Sequence, residues 1–292
     1  MQLKGVFPAM ATPLTQEEKI DKAALRRLVN YLIDGGIHGI VALGSTGEFP
    51  AMTESMRQEV FETTLEEVNG KVPVLIGCGE PGTLRTIEQV KIASATKADG
   101  VLVAVPYYFT MDQVSVIRHY QMVADASILP VVMYNFPQMT KTSITADTVA
   151  KLSQHPNIIG IKDSSGDFFG MQRYIDVTPA DFSVMSGNPA LGLSGYELGA
   201  KGGIYAGCSL FPKQCADVYN AFVRGDKAAA IEMQKKASLI PMMGSFGPNA
   251  AVVKFGLNKL GICGPTVAAP FCLPPGQDDK ILAWMKRVGI DA

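Results

Sequence analysis

The sequence predicts an α/β chain, a (β/α)8 (TIM) barrel with a C-terminal helical appendage. Three observations carry that expectation. Short runs rich in Val and Ile alternate with longer amphipathic segments, and long crossovers of this kind join parallel strands. About eight such pairs fit into roughly 225 residues, which is what an eight-unit barrel requires. The first run leads into TPLTQEEKID, without the Gly-rich phosphate loop that opens a doubly wound sheet.

The strand candidates, in order, are GVFPAMATP (5–13), GIHGIVALG (36–44), VPVLIGCG (72–79) and ADGVLVAVP (98–106). LPVVMYNFP (129–137), NIIGIKD (157–163), FSVMSG (182–187) and KGGIYAG (201–207) follow. Continuous apolar runs that end in Gly, Pro or a polar residue suit strands buried on both faces. Between them, KAALRRLVNYLIDGG carries Leu25, Leu28 and Leu32 at helical spacing, with Gly35 as a stop. Thr53 stands three residues before Met56 as an N-cap without a full capping box. Further helices are expected at 83–97, 111–126, 145–154, 167–177, 188–200 and 212–224. Three more, near 227–240, 249–260 and 278–288, form the appendage, punctuated by Pro241, Gly244, Gly247, Pro248 and AAPFCLPPG. The expected division is a barrel over 1–225 carrying the active site and a helical domain over 226–292.

Composition narrows the function classes. The chain of 292 residues is 47% hydrophobic and 18% charged, with a formal net charge of -1. That balance favours neither nucleic acid nor an anionic membrane, since both select a basic face. No apolar stretch approaches the roughly 20 residues that span a bilayer, and MQLKGVFPAMATPL has no secretory h-region. The five cysteines, Cys78, Cys208, Cys215, Cys263 and Cys272, are odd in number and lack C-x-x-C spacing. Reduced thiols and a cytoplasmic location are expected. His38, His119 and His155 are scattered, so no metal site is expected and structural roles are.

A barrel of this type places its active site at the C-terminal strand ends. The second strand ends in GSTGE (44–48), the fourth in PYY (106–108), the fifth in YNFP (134–137), the sixth at Lys162 and the seventh in SGN (186–188). An amine attacks a ketone only as the neutral base, and burial disfavours the ammonium form. Lys162, closing an apolar run, is therefore a candidate nucleophile whose imine with a keto acid would act as an electron sink. The competing reading is a rim lysine paired with Asp163. Tyr134 could shuttle the protons that imine chemistry moves, or simply close the barrel top as an aromatic. GSTGE offers hydroxyls and turn amides for a carboxylate, or is an ordinary turn with Glu48 at the rim. Tyr107 and Tyr108 read equally as rim aromatics. The combination at one barrel end favours chemistry over packing.

With these motifs, and with SGNPA and VKFGLNKLGI near 253–262, the chain resembles the dihydrodipicolinate synthase/N-acetylneuraminate lyase superfamily over nearly its whole length. The resemblance implies pyruvate-linked Schiff-base enzymes, commonly homotetramers, that need no metal or organic cofactor. It makes Lys162 the imine-forming lysine, Tyr134 the proton-shuttling phenol and Ser45 a proton relay. Thr46, with Gly47 beside it in the turn, would hold the substrate carboxylate. Tyr108 would reach into a neighbouring subunit's site, and Tyr107 would lie at that interface. Gly187 and Ile204 would line the pocket wall. GSTGE is closer in wording to the lyase branch. Met139 stands where the synthases carry an arginine for the second substrate's carboxylate, a bidentate contact that methionine cannot replace. Asn188, Pro189 and Ala190 stand where the sialate lyases carry an acidic pair, and YNFP-x-x-T resembles aldolases of 2-keto-3-deoxy sugar acids.

The leading expectation is a Schiff-base lyase of a 2-oxo acid, by retro-aldol cleavage to pyruvate and an aldehyde or by dehydration of a 2-keto-3-deoxy sugar acid. The second is 4-hydroxy-tetrahydrodipicolinate synthase, condensing pyruvate with aspartate semialdehyde and recruiting another cation. A third, of another class, is a non-catalytic keto-acid-binding protein on the same scaffold.

Overall fold

The computed structural model describes residues 2–291. Eight parallel strands alternate with helices in chain order. They are β1 (Gly5–Pro8), α1 (Lys22–Asp34), β2 (Ile40–Ala42), α2 (Glu54–Val68), β3 (Val74–Gly77), α3 (Thr83–Ser94), β4 (Gly100–Ala104) and α4 (Gln113–Ala126). The second half runs β5 (Val131–Asn135), the short α5 (Pro137–Thr140), α6 (Ala146–Leu152), β6 (Ile158–Asp163), α7 (Phe168–Val177), β7 (Ser183–Ser186), α8 (Gly192–Leu198), β8 (Gly202–Tyr205) and α9 (Pro212–Val223). Then come α10 (Lys227–Ala237), α11 (Asn249–Lys259) and α12 (Asp278–Val288).

From β2 to β8 each strand pairs with its sequence neighbour, and β1 pairs with β8. The last seam is sealed by a bridge between Ala9 and Val41, with His38 N donating to Val6 O and Met10 N to Val41 O, both at 2.9 Å. The predicted barrel is thus present. Among the described residues, no helix is long and apolar enough to cross a membrane.

Local chemistry explains most element ends. Asp21, Thr53, Asp112, Thr145 and Asp226 each cap the helix that follows through a side-chain oxygen. Thr53 caps as its spacing predicts, accepting from Met56 N at 3.3 Å. Gly35 closes α1, but the left-handed turn falls on Gly36, whose φ is +78°. Two expectations shorten. The 5–13 run is a strand only to Pro8, beyond which Ala9 adds an isolated bridge to Val41. The 188–200 helix breaks into a 3₁₀ turn at Pro189–Leu191 followed by α8.

Two apolar layers make the core. The barrel interior packs Phe7, Val41, Leu75, Leu102, Val132, Tyr134, Met185 and Ile204, while a larger layer fills the space between strands and helices. The C-terminal helices are keyed on by Trp284. Its ring lies edge-on to Phe211 at 5.0 Å and its Nε1 donates to Leu239 O at 2.8 Å.

The three histidines serve the scaffold. His38 bonds Val6 N and Asn220, and His155 pairs with Asp125. His119 is 1% exposed, held by Thr83 at Nδ1, with Nε2 unpartnered. Burial pushes its imidazole down from 6.5 to about 4. The unfolded chain therefore binds this proton at a pH where the folded chain refuses it. Stability is fully present above about 6.5 and is lost as pH falls toward about 4, on the order of 2–3 kcal/mol from this group. Urea titrations at pH 7 and pH 4.5 check it: His119→Gln should flatten that part of the acid slope. An unchanged slope would remove the assignment.

Candidate active site at the barrel mouth

Pairing fixes which way each strand-end side chain points. Residues directly opposite one another on neighbouring strands share a face. Lys162 is paired with Tyr134 on one side and Met185 on the other, and both partners belong to the interior cluster. Lys162 therefore points into the barrel, where it is 4% exposed. Its Nζ lies 4.0 Å from the centroid of the Tyr134 ring. The next residue alternates outward. Asp163 Oδ1 accepts from Asn135 Nδ2 at 2.7 Å, and its Oδ2 accepts from Ser165 Oγ at 2.8 Å. The rim pairing of Lys162 with Asp163 is thus absent, and no ion pair among the described residues includes Lys162.

Behind the lysine lies a polar network that locks β5 to β6. Asn135 also donates to Tyr174 Oη at 3.2 Å and accepts from Ile144 N at 3.0 Å. Tyr174 Oη donates to Ile144 O at 2.5 Å. Burial pushes the Asp163 carboxyl up, against the donors from Asn135 and Ser165 that pull it down. Tyr134 itself is 5% exposed, and the Phe136 ring stacks on it at 5.6 Å with a 19° tilt.

The other expected residues divide by exposure. Thr46 and Gly47 are buried, while Ser45 is exposed. Ile204 packs in the interior cluster with Tyr134. Gly187 N donates to Asp163 O at 2.6 Å, and a Cβ on Gly187 would fall 2.7 Å from that backbone oxygen and 2.9 Å from Ser164 Cα. The close approach of the β6 and β7 ends therefore demands glycine there. Tyr107 is half-buried, edge-on to Phe49 at 6.3 Å, and burial with the nearby Glu80 charge pushes its phenol up. Tyr108 is 85% exposed and holds a φ of 84°, an outlier for a tyrosine. Met139 is 65% exposed. Among the described residues, no hydrogen bond joins Ser45 or Tyr108 to Lys162 or Tyr134. The structure thus gathers Lys162, Tyr134 and Ile204 inside the barrel, sets Gly187 against Asp163 and Ser164, and leaves Ser45, Tyr108 and Met139 exposed.

Sequence reasoning missed what holds the GSTGE turn. Glu48, a rim residue on the ordinary-turn reading, is 3% exposed. Its Oε1 lies 2.5 Å from the Lys254 ammonium on α11, and its Oε2 accepts from Ala268 N at 2.7 Å. Lys254 is fully buried and donates to Thr266 O at 2.8 Å. Burial pushes its ammonium down, and the Glu48 charge opposes that. Thr12, also missed, donates from Oγ1 to Gly47 O at 2.9 Å. The signal for Lys254 was a lysine inside an apolar run, VVKFGL, the same pattern that singles out Lys162.

Comparison with known proteins agrees with this architecture. The family model for the dihydrodipicolinate synthetase family matches residues 2–280. The chain is 37% identical over 274 residues to the 4-hydroxy-tetrahydrodipicolinate synthase of Methanospirillum hungatei, covering 93% of this chain and 92% of that one. It is 34% identical over 290 residues to the synthase of Neisseria gonorrhoeae, covering 98% and 99%. Among solved structures it superposes on YagE, a prophage protein of the dihydrodipicolinic acid synthase family from E. coli K12 in complex with pyruvate. The TM-score is 0.94 at 29% identity, with 98% of each chain covered. A matched family model over almost the whole length, on a barrel with an inward lysine at its mouth, establishes that the chain belongs to the dihydrodipicolinate synthetase family.

Proposed function

We propose that the chain is a Schiff-base enzyme of pyruvate chemistry, with Lys162 as the imine-forming residue. The observation that carries this reading is the buried Lys162 amine, free of Asp163 and set 4.0 Å from the Tyr134 ring. Nζ attacks C2 of the keto acid, and water leaves as the iminium forms. The iminium draws electrons from C3, which loses a proton to give an enamine or, in the reverse sense, releases an aldehyde by C3–C4 cleavage. Tyr134 carries the protons of these steps. The amide and hydroxyl of Thr46, with Gly47 beside it, receive the carboxylate, and Ser45 relays protons.

For the second reactant, the names of the relatives support condensation with aspartate semialdehyde, the reading ranked second above. One observation favours the lyase reading instead. Met139 leaves an exposed thioether where a guanidinium would bind a carboxylate. The nearest cation along the chain, Lys141, is exposed and donates to Gln138 O at 3.1 Å. The exposed Tyr108 and Phe109 rings support a homotetramer in which Tyr108 enters a neighbour's site, and the lack of a membrane-spanning helix among the described residues fits a cytoplasmic enzyme.

The deciding experiment is borohydride reduction with pyruvate, read by peptide mass spectrometry. The expected result is a three-carbon adduct on Lys162; no adduct there would overturn the proposal. Turnover of pyruvate with aspartate semialdehyde, set against cleavage or dehydration of 2-keto-3-deoxy acids, assigns the reaction. Under the lyase reading, Met139→Arg should lower KM for aspartate semialdehyde by about tenfold, the scale of one charge-assisted contact.

A further inference from the structure

We infer that Lys254 and Glu48 form a positioning pair by which the C-terminal helices hold the carboxylate-binding turn in shape. The inference rests on the reading of Ser45–Gly47 as that turn. The turn is bent at both ends by residues that do not favour the bend. Leu43 and Glu48 both hold φ of 58°, the left-handed region where a bulky side chain is strained. Such a segment relaxes unless its surroundings over-determine it.

Three contacts do so. Gly77 lets β3 press against Leu43 O, since a Cβ on Gly77 would fall 2.0 Å from that oxygen. Thr12 grips Gly47 O from the loop after β1. The third grip is on Glu48, and both contacts to its carboxylate come from beyond residue 250, at Lys254 Nζ and Ala268 N. Lys254 is in turn fixed by Thr266 O. A buried ion pair is weak as a source of stability, because desolvation offsets attraction. Its better-attested use is to select one geometry, and the geometry selected here is the turn that would face substrate.

The test separates holding the fold from holding the turn. Lys254→Met alone leaves a buried carboxylate uncompensated and should destabilise the protein strongly. The double variant Glu48→Gln/Lys254→Met removes both charges, keeps an acceptor for Ala268 N and should recover most of the lost thermal stability. If the pair positions the turn, the double variant still requires at least about tenfold more pyruvate for half-maximal borohydride capture, a loss comparable to one charge-assisted hydrogen bond. Its kcat at saturating substrate should change much less. If stability and pyruvate dependence recover together, the pair is only structural and the inference falls. A wild-type measurement covers a variant that does not fold. Because coupling is reciprocal, pyruvate should slow hydrogen exchange of α11 and residues 260–268; unchanged exchange there overturns the inference. Failure of wild-type capture instead removes the Schiff-base reading itself.

Discussion

Lys162→Ala is expected to lower turnover by at least about a thousandfold, the scale on which a covalent nucleophile is missed. The fold should survive. Lys162 is engaged in no ion pair among the described residues, and its outward neighbour Asp163 keeps its bonds to Asn135 and Ser165. Alanine therefore deletes an amine and an alkyl stem without orphaning a buried charge. Lys162→Met fills the same volume and serves as control for any packing loss. Both variants should give native circular dichroism, lose the pyruvate adduct and lose product formation. Wild-type-like turnover by either purified variant would end the Schiff-base mechanism.

Tyr134→Phe should cut kcat by roughly a hundred to ten thousandfold, the span of general acid–base catalysis. Its ring would still stack on Phe136 and lie beside Nζ, since those contacts are made by carbon atoms. The change removes only the hydroxyl. Pyruvate capture on Lys162 should therefore persist, at a slower rate, while the catalysed reaction collapses. Equal kcat in variant and wild type would reassign the proton carrier. Full loss of capture with a native spectrum would instead show that the phenol is needed for imine formation itself.

Much of this site could be read along the chain because parallel strands announce themselves. IIGIKD and VVMYN are buried on both faces, so their apolar runs mark strand and strand end together. The pleat then dictates that Lys162 and Asp163 diverge. Their partners were another matter. Asp163 finds Asn135 because β5 lies beside β6 in one register, after a slip between Val131 and Val132 that no local pattern reveals. Glu48 looked like a polar turn residue because the residues just before it, Gly44 to Gly47, are polar or small. Its true surroundings arrive from α11 and the segment after it. The 188–200 helix was overextended for a local reason, since Pro189 starts a 3₁₀ turn before Gly192 opens α8.

The bond from Ala268 to Glu48 closes a separation of 220 residues. Translation delivers the early loop long before its clamp, and ribosomes add only about 5–20 residues per second. A nascent chain can thus display every strand while the turn proposed to bind a carboxylate is still unfastened. If that reading holds, competence would appear abruptly, when the final stretch emerges and docks.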